Sequence, residues 1–206
     1  MDYKSQILTE IETLPTSLLP DVLGYIQALQ PQVRVSKPVL TKKTQSPSDI
    51  SNSVIIYTDG ACTGNPGAGG YGAVIINGDR REELAKGYKR TTNNRMEMMA
   101  AIAALQSLAD KSQVKIHSDS KYLVDAMGKG WAKKWQANGW RRNAKEMAKN
   151  PDLWQILLDL CKLHDVEFIW VKAHAGIAEN ERCDRLAVAA AHQSNLSEDD
   201  GYVNGG

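Results

Sequence analysis

The sequence predicts an α/β fold in which a five-stranded mixed sheet carries helices on both faces. Three strand-like runs come first, and strands then alternate with helices to the end of the chain. This order of elements is typical of a mixed sheet covered by helices. The chain has 206 residues, of which 42% are hydrophobic and 24% are charged, so it can hold one good-sized domain plus an appendage.

The appendage is predicted at the beginning of the chain. Residues 1–30 place apolar side chains at helical spacing around Pro15 and Pro20, which predicts a small helical hairpin. Residues 31–53 are rich in proline, serine and lysine and are predicted to be a flexible linker. Residues 54–206 then form the main domain. The apolar face of the hairpin favours either packing on the main domain or binding to a protein partner or a second copy of the chain.

Short apolar runs and turn signals place the elements of the main domain. Strands are predicted at residues 54–58, 71–76, 82–89, 114–117 and 166–171. The turn signal Asn77-Gly78-Asp79 joins the second and third strands as a hairpin. Helices are predicted at residues 94–109, from Ser120 onward, and at residues 152–163 and 179–192. The glycine-rich residues 60–70 are predicted to be a loop, and the tail from residue 194 to residue 206 is predicted to be frayed.

Charge and cysteine content narrow the functional classes. The chain has 25 Lys and Arg residues and 24 Asp and Glu residues, which gives a net charge of +1. Any binding to nucleic acid must therefore come from local charge. The three cysteines have no metal-like spacing, which indicates a reducing compartment. The sequence shows neither a signal-peptide core nor an apolar run of bilayer length, so we expect a cytoplasmic location without membrane contact.

Four carboxylates lie in unusual local contexts. Asp59 and Asp119 each follow a core strand closely, and Glu97 and Asp184 lie in predicted helices. A carboxylate in such surroundings is costly unless it is paired or bound to a cation. Oxygen ligands without a matching set of His or Cys suit Mg²⁺ or Mn²⁺ rather than zinc. The four acids together predict a metal-dependent phosphoryl-transfer site, although each one alone is also compatible with a turn or a helix cap.

Residues 129–149 combine basic side chains with tryptophans. The basic residues are Lys129, Lys133, Lys134, Arg141, Arg142, Lys145 and Lys149. Glu146 is the single acid in this segment. Tryptophans are interleaved with the basic residues at near-helical spacing, at Trp131, Trp135 and Trp140. In an otherwise neutral chain this combination favours a protrusion that holds nucleic acid. The alternative is a solvated basic face whose tryptophans belong to the core.

Six motifs, in order, resemble bacterial type 1 ribonuclease H across residues 54–203. They are Tyr57-Thr58-Asp59-Gly60, Gly64-Asn65-Pro66-Gly67, Thr91-Thr92-Asn93-Asn94-Arg95-Met96-Glu97, Ser118-Asp119-Ser120, Val171-Lys172-Ala173-His174-Ala175-Gly176 and Asn180-Glu181-Arg182-Cys183-Asp184. The resemblance implies a ribonuclease-H-like fold. It also implies a metal-dependent endonuclease that cuts the RNA strand of RNA–DNA hybrids, leaving 5′-phosphate and 3′-hydroxyl ends.

The resemblance also implies roles for individual residues. Asp59, Glu97, Asp119 and Asp184 are the expected ligands of two Mg²⁺ ions, with Mn²⁺ as an alternative, and His174 is expected to assist turnover. Asp59 is the expected bridging ligand, Asp184 serves the metal on the nucleophile side, and Glu97 and Asp119 serve the metal on the leaving-group side. Ala173 departs from the glycine that is usual in the family, which should stiffen the loop of His174.

Two groups of substrate contacts complete the expectation. By resemblance Cys62, Asn65, Asn93 and Asn94 contact the substrate, Gly60 lies near the ribose 2′-OH, and Thr92 and Asn65 are candidates for further contacts to the substrate backbone. The contacts on a basic handle that grips the DNA strand are Trp131, Lys133, Lys134, Trp135, Trp140, Arg141 and Arg142. Two alternatives are a non-catalytic hybrid-binding module and a transposase or integrase of the same superfold. The full set of four carboxylates argues against the first, and the handle argues against the second.

Overall fold

The computed structural model describes residues 53–203. The predicted hairpin of residues 1–30 and the predicted linker of residues 31–53 lie outside this range, except for Ser53, which begins the first strand. None of the helices that the structure describes combines the length and hydrophobicity needed for a bilayer span.

A five-stranded mixed sheet forms the centre of the domain, as predicted. Its strands are β1 (Ser53–Gly64), β2 (Gly67–Asn77), β3 (Arg80–Thr91), β4 (Gln113–Ser118) and β5 (Asp165–Trp170). They lie in the order β3-β2-β1-β4-β5, with β1, β2 and β3 antiparallel and with β4 and β5 parallel to β1. Ser118 pairs with Thr58 on one side and with Trp170 on the other. Asp59 and Asp119 therefore follow paired residues at one level of the sheet.

Helices cover both faces of this sheet. They are α1 (Asn93–Gln106), α2 (Lys121–Gly128), α3 (Trp131–Ala137), α4 (Pro151–Leu163), α5 (Ala178–Ala191) and α6 (Asp200–Val203). The main core lies on the face where Ile56 of β1 and Ile116 of β4 meet Leu105 of α1 and Trp154 of α4. On the other face α5 packs against β1, where the Cys183 thiol donates to the Tyr57 carbonyl.

The glycine-rich residues 60–70 form most of a β-hairpin, so the predicted loop is wrong. The pairing of β1 with β2 continues to the Gly64–Gly67 pair at the tip. A Cβ on Gly72 would overlap the carbonyl oxygen of Cys183 in α5, and a Cβ on Gly70 would overlap the backbone of the same helix. Glycine here permits close approach of a helix to a strand rather than a turn, and composition alone does not distinguish the two uses.

The tail is anchored through Asp199, so the prediction of a frayed tail is wrong for residues 194–203. The Asp199 carboxylate accepts hydrogen bonds from Arg95 Nε at 2.7 Å and from Thr91 Oγ1 at 2.6 Å. Arg95 also donates to Asp152 of α4, at 3.0 and 2.7 Å. The side chains of Arg95 and Asp199 are each 1% exposed. The acidic composition of the tail hid this contact because its basic partner lies far away in the sequence.

Removing Asp199 should strongly destabilise the domain. In Asp199→Ala, Arg95 stays buried with one of its two carboxylate partners missing, and breaking a buried pair costs about 3–5 kcal/mol. The measurement is the free energy of unfolding from urea titrations monitored by circular dichroism.

The adjacent residue supplies the matched control. Glu198 pairs with Lys89 at 2.7 Å, but both side chains are more than half exposed. Glu198→Ala should therefore cost less than about 1 kcal/mol. Equal losses for the two variants would contradict the structural role given to the buried cluster.

Candidate active site

Three of the four predicted metal ligands converge at the end of the sheet. One carboxylate oxygen from each of Asp59, Glu97 and Asp119 lies within 4.8 Å of the other two. Asp59 and Glu97 are buried, and Asp119 is half-buried. They come from β1, from the first turns of α1 and from the connection after β4. The fold thus brings together acids that are distant in sequence.

Gly60 permits the close contact between β1 and α1 that creates this cluster. A Cβ on Gly60 would overlap the backbone nitrogen of Glu97 and the main chain of Met96. The backbone N–H of Gly60 also donates to Asp59 Oδ1 at 2.7 Å. The resemblance assigned Gly60 to the substrate ribose, and the structure gives it a packing function next to two predicted ligands.

The electrostatics of the cluster favour a bound cation. Burial, followed by the charge of Asp119 and more weakly that of Asp184, raises the pKa of Asp59 to about 7, although its hydrogen bond to Gly60 acts in the opposite direction. Burial and the charges of Asp59 and Asp119 also raise the pKa of Glu97. The Oε2 atom of Glu97 is buried and has no hydrogen-bond partner among residues 53–203. A divalent cation would supply both the missing partner and the missing positive charge, so these residues fit a metal site.

Asp184 lies beside the cluster rather than within it. It is half-buried on α5, and its charge contributes to the raised pKa of Asp59. It is not one of the three acids whose oxygens lie within 4.8 Å of one another. The structure therefore places the fourth predicted ligand within electrostatic reach, on the helix that closes the opposite face of the sheet.

Asn180 is a site residue that the sequence analysis missed. It is buried on α5, and its Nδ2 donates to Asp119 Oδ2 at 3.3 Å. Its Oδ1 is buried without a hydrogen-bond partner in the described part of the chain. Asn180 precedes Asp184 by one helical turn, so the two side chains share a helix face. That four-residue spacing was the available signal in the sequence.

Several of the predicted substrate contacts form a wall beside Glu97. Asn93 Nδ2 donates to Glu97 Oε1 at 3.4 Å, and the Asn93 backbone N–H donates to Asn65 Oδ1 at 3.3 Å. Thr92 caps α1 by accepting from Arg95 N. The half-buried Cys62 donates through Sγ to backbone carbonyls of the same hairpin and of β3. Asn93 therefore contacts Glu97 directly and links Asn65 to it, whereas Thr92 and Cys62 bind main-chain groups.

His174 lies in an exposed loop between β5 and α5. Its backbone adopts a left-handed conformation with φ of 51°, and Gly176 follows with φ of 78°. A positive φ is uncommon for a residue other than glycine, although His is among the residue types enriched there. The imidazole therefore belongs to an exposed turn that follows the edge strand β5.

The basic segment forms α3 and the irregular chain that follows it. A groove of about 880 Å³ runs from Asn94, at the start of α1, to Trp131, Lys134 and Arg142 of this segment. Trp131 is 40% exposed, and Lys129 Nζ lies 5.2 Å from its ring centroid. Lys133, Lys134 and Arg141 are also exposed. The groove thus has a cationic and aromatic side.

Trp135 and Trp140 were both predicted to contact the substrate, and both pack against the core. Trp135 is 8% exposed and packs edge-on against Trp154 of α4, with 5.9 Å between ring centroids. Trp140 is half-buried and packs against the same core. Trp135 is therefore a core residue, because α4 covers the side of α3 on which it lies. Of the three tryptophans, Trp131 offers the most exposed ring.

Known proteins with similar sequences identify the family. Residues 51–192 match the family model for RNase H. Ribonuclease H of Rippkaea orientalis (strain PCC 8801 / RF-1) is 63% identical over 159 residues, which cover 77% of this chain and 98% of the relative. Ribonuclease HI of Synechocystis sp. (strain ATCC 27184 / PCC 6803 / Kazusa) is 68% identical over 152 residues, which cover 73% of this chain and 95% of the relative.

Solved structures agree with this match. LC9-RNase H1, a type 1 RNase H with the type 2 active-site motif, has a TM-score of 0.61 at 32% identity over 72% of this chain and 74% of its own. LC11-RNase H1, solved in complex with an RNA/DNA hybrid, has a TM-score of 0.51 at 24% identity over 67% of this chain and 96% of its own, and it supports the fold alone. With a carboxylate cluster in the matched region, the chain belongs to the ribonuclease H family.

Proposed function

We propose that this ribonuclease H cuts the RNA strand of RNA–DNA hybrids at a two-Mg²⁺ site formed by Asp59, Glu97, Asp119 and Asp184. The observation that carries the proposal is the convergence of two buried carboxylates and one half-buried carboxylate, whose neighbouring charges are negative. Such a site is unfavourable for a purely structural protein, whereas it is suited to holding divalent cations. A non-catalytic hybrid-binding module would have no need of it.

The chain's own residues fix the acids in space. When bound, two divalent cations activate a water and stabilise the departing 3′ oxygen, so that the products carry 5′-phosphate and 3′-hydroxyl ends. Asp59 is held in a paired strand, and one of its oxygens lies within 4.8 Å of oxygens of both Glu97 and Asp119, so it would be the ligand that both cations share. Asp184 completes the set from α5. Mn²⁺ is an alternative because its ligand preferences are similar.

His174 is assigned to proton transfer and product release rather than to metal binding. It is exposed in the loop between β5 and α5, and it is not one of the three residues whose ligand atoms lie within 4.8 Å of one another. A ring nitrogen of the imidazole can take up or return a proton as water attacks or product leaves.

The groove is assigned to the hybrid. Asn65, Asn93 and Asn94 present amides that can donate and accept without demanding one base sequence. Lys134 and Arg142, which line the groove, and the exposed Lys133 and Arg141 are proposed to contact phosphates of the DNA strand, which would raise affinity without reading sequence. Trp131 supplies the exposed ring, whereas Trp135 and the inner side of Trp140 support the protrusion from the core.

Two predictions concern features beyond this site. A cytoplasmic location stays a prediction, and it is supported by three cysteines that are all free thiols. Residues 1–30 are proposed to bind a protein partner or a second copy of the chain. Both are separate from the hydrolytic reaction.

Asp59→Asn should abolish cleavage without abolishing substrate binding. The amide keeps the shape of the side chain but loses the charge that holds the cations, so we expect kcat to fall by at least about 10²-fold. The measurement uses labelled hybrid, duplex DNA and duplex RNA with and without Mg²⁺, together with the Kd for hybrid in metal-free buffer.

Asp79→Asn is the control for this variant. Asp79 is an exposed acid in the turn between β2 and β3, so hydrolysis of the hybrid should be unchanged. Hydrolysis of the hybrid by Asp59→Asn at the wild-type rate would overturn the assignment.

Asp59→Asn should also stabilise the metal-free protein at high pH. The pKa of Asp59 is raised from 3.8 in the unfolded chain to about 7 in the fold. Stability from this group is therefore fully present below pH 3.8 and is lost as the pH rises through about 7. At pH 8 Asp59→Asn should raise the free energy of unfolding by about 2–4 kcal/mol.

The increase in the free energy of unfolding caused by Asp59→Asn should shrink steadily as the pH is lowered towards 4. Urea unfolding in the presence of EDTA at pH 8, 6 and 4.5 measures it for the variant and the wild type. A difference that does not change with pH would show that the buried charge is not its source.

Neutralising the handle should weaken hybrid binding and reduce its dependence on salt. Replacing Lys133, Lys134, Arg141 and Arg142 by Gln removes up to four phosphate contacts. The slope of log Kd against log [NaCl] should fall by about one unit for each contact that is lost. Fluorescence anisotropy at NaCl concentrations of about 50 to 300 mM measures this slope.

A second fourfold variant separates local from total charge. The handle (residues 129–149) does not include four other exposed basic residues, which are Arg80, Lys111, Lys115 and Lys162. Replacing them by Gln changes the net charge equally and should leave the slope close to that of the wild type. Equal slopes for the two variants would contradict the assignment of the handle.

A further inference from the structure

The four acids differ in how their backbones are held. Asp59 belongs to β1, Glu97 to α1 and Asp184 to α5, so regular hydrogen bonding fixes each main chain. Asp119 instead lies in the two-residue connection between the end of β4 and the start of α2. It is the one acid of the four that lies outside a strand or helix, so its main chain needs another partner.

Trp170, the last residue of β5, supplies that partner. The final backbone bond between β5 and β4 runs from Val171 N to Ser118 O at 3.0 Å. The next carbonyl along the chain is that of Asp119, and it accepts a hydrogen bond from Trp170 Nε1 at 3.2 Å. The indole thereby extends the link between the two strands by one residue, to the metal ligand itself.

The exposure of Trp170 is consistent with a role other than core packing. Its surface is 46% exposed, and Lys121 Nζ lies 5.3 Å from its ring centroid. The ring therefore contacts the connection on both sides of Ser120. Trp131 is similarly exposed and also carries a lysine over its ring, at 5.2 Å. A hydrogen bond to the backbone of a predicted metal ligand distinguishes Trp170 from it.

The side chain of Asp119 is held separately from its main chain. Asn180 Nδ2 donates to Asp119 Oδ2 at 3.3 Å from α5. Asn180 thus orients the carboxylate, while Trp170 fixes the carbonyl of the same residue. Metal sites tolerate displacements of only about 0.5 Å, so both supports matter for a ligand in an irregular connection.

We propose that Trp170 is a positioning residue for metal binding, acting through the hydrogen bond from its indole N–H to the main chain of Asp119. The proposal rests on the proposed function, in which Asp119 is a metal ligand. The indole N–H of Trp170 contacts the main chain of Asp119 rather than a carboxylate oxygen. Its loss should therefore change the affinity for metal and leave the chemical step nearly intact once metal is saturating.

Trp170→Phe tests this because it removes the N–H and keeps an aromatic ring. A hydrogen bond of ordinary net strength corresponds to about a three- to tenfold change in affinity. We expect the Kd for Mn²⁺, measured by calorimetry in the absence of substrate, to rise by that factor. The Mg²⁺ concentration for half-maximal cleavage should rise in parallel, with KM for hybrid unchanged and kcat at saturating Mg²⁺ within about twofold of the wild type.

Two further variants isolate the N–H. Lys121→Gln removes the cation over the ring and leaves the indole in place, so its Kd for Mn²⁺ should stay close to that of the wild type. A tryptophan analogue with sulfur in place of the N–H, incorporated at position 170, keeps the shape of the ring and should reproduce the loss seen with Trp170→Phe. An unchanged Kd in either N–H-deficient protein, or an equal loss in Lys121→Gln, would overturn the proposal.

Asp119→Asn separates this inference from the proposed function. If Asp119→Asn weakens Mn²⁺ binding strongly while Trp170→Phe does not, Asp119 is a ligand and the positioning role of Trp170 is rejected. If Asp119→Asn leaves Mn²⁺ binding unchanged, the ligand assignment itself fails, and the inference fails with it.

Discussion

The contact between β1 and the first turns of α1 is the constraint on which the site depends. Gly60 lets the two backbones touch, and this contact places Asp59 and Glu97 side by side in a buried position. The energetic cost is visible in the raised pKa values of both acids. The fold therefore stores an unfavourable arrangement of charge that a divalent cation relieves, so metal affinity and metal-free stability are coupled through the same two residues.

The surrounding structure holds this arrangement in place from three directions. Glycines of β2 bring α5 against the sheet, which carries Asn180 and Asp184 to the site. The buried pair of Arg95 and Asp199 secures the start of α1 from the end of the described chain. Trp170 reaches the acid that belongs to no regular element. Each support is a contact between residues that are distant in sequence.

Much of the fold was predictable from sequence because it follows from local patterns, and the sequence analysis also named the three acids that the fold brings together. Apolar runs and the Asn77-Gly78-Asp79 signal gave five strands, and the comparison with known structures supports the ribonuclease-H-like fold. The errors arose where one residue type serves two purposes. Glycines were assigned to a loop although they admit α5, and the acidic tail was assigned to solvent although Asp199 meets a buried arginine. The burial of Trp135 against α4 and the contact of Asn180 with Asp119 were not foreseen. Their neighbours come from other elements, and sequence spacing does not show which elements meet.

The burial of Trp135 has a consequence for the length of substrate that the enzyme can use. Trp135 joins α3 to Tyr122 and Trp154 inside the same core that carries the carboxylates. In the proposed function, the surface assigned to one strand and the acids assigned to cutting the other are therefore parts of a single packed core. A hybrid too short to reach from one to the other would gain only one of the two attachments. Tryptophan packing would thus set a minimum number of base pairs for efficient cleavage, without any contact to a base.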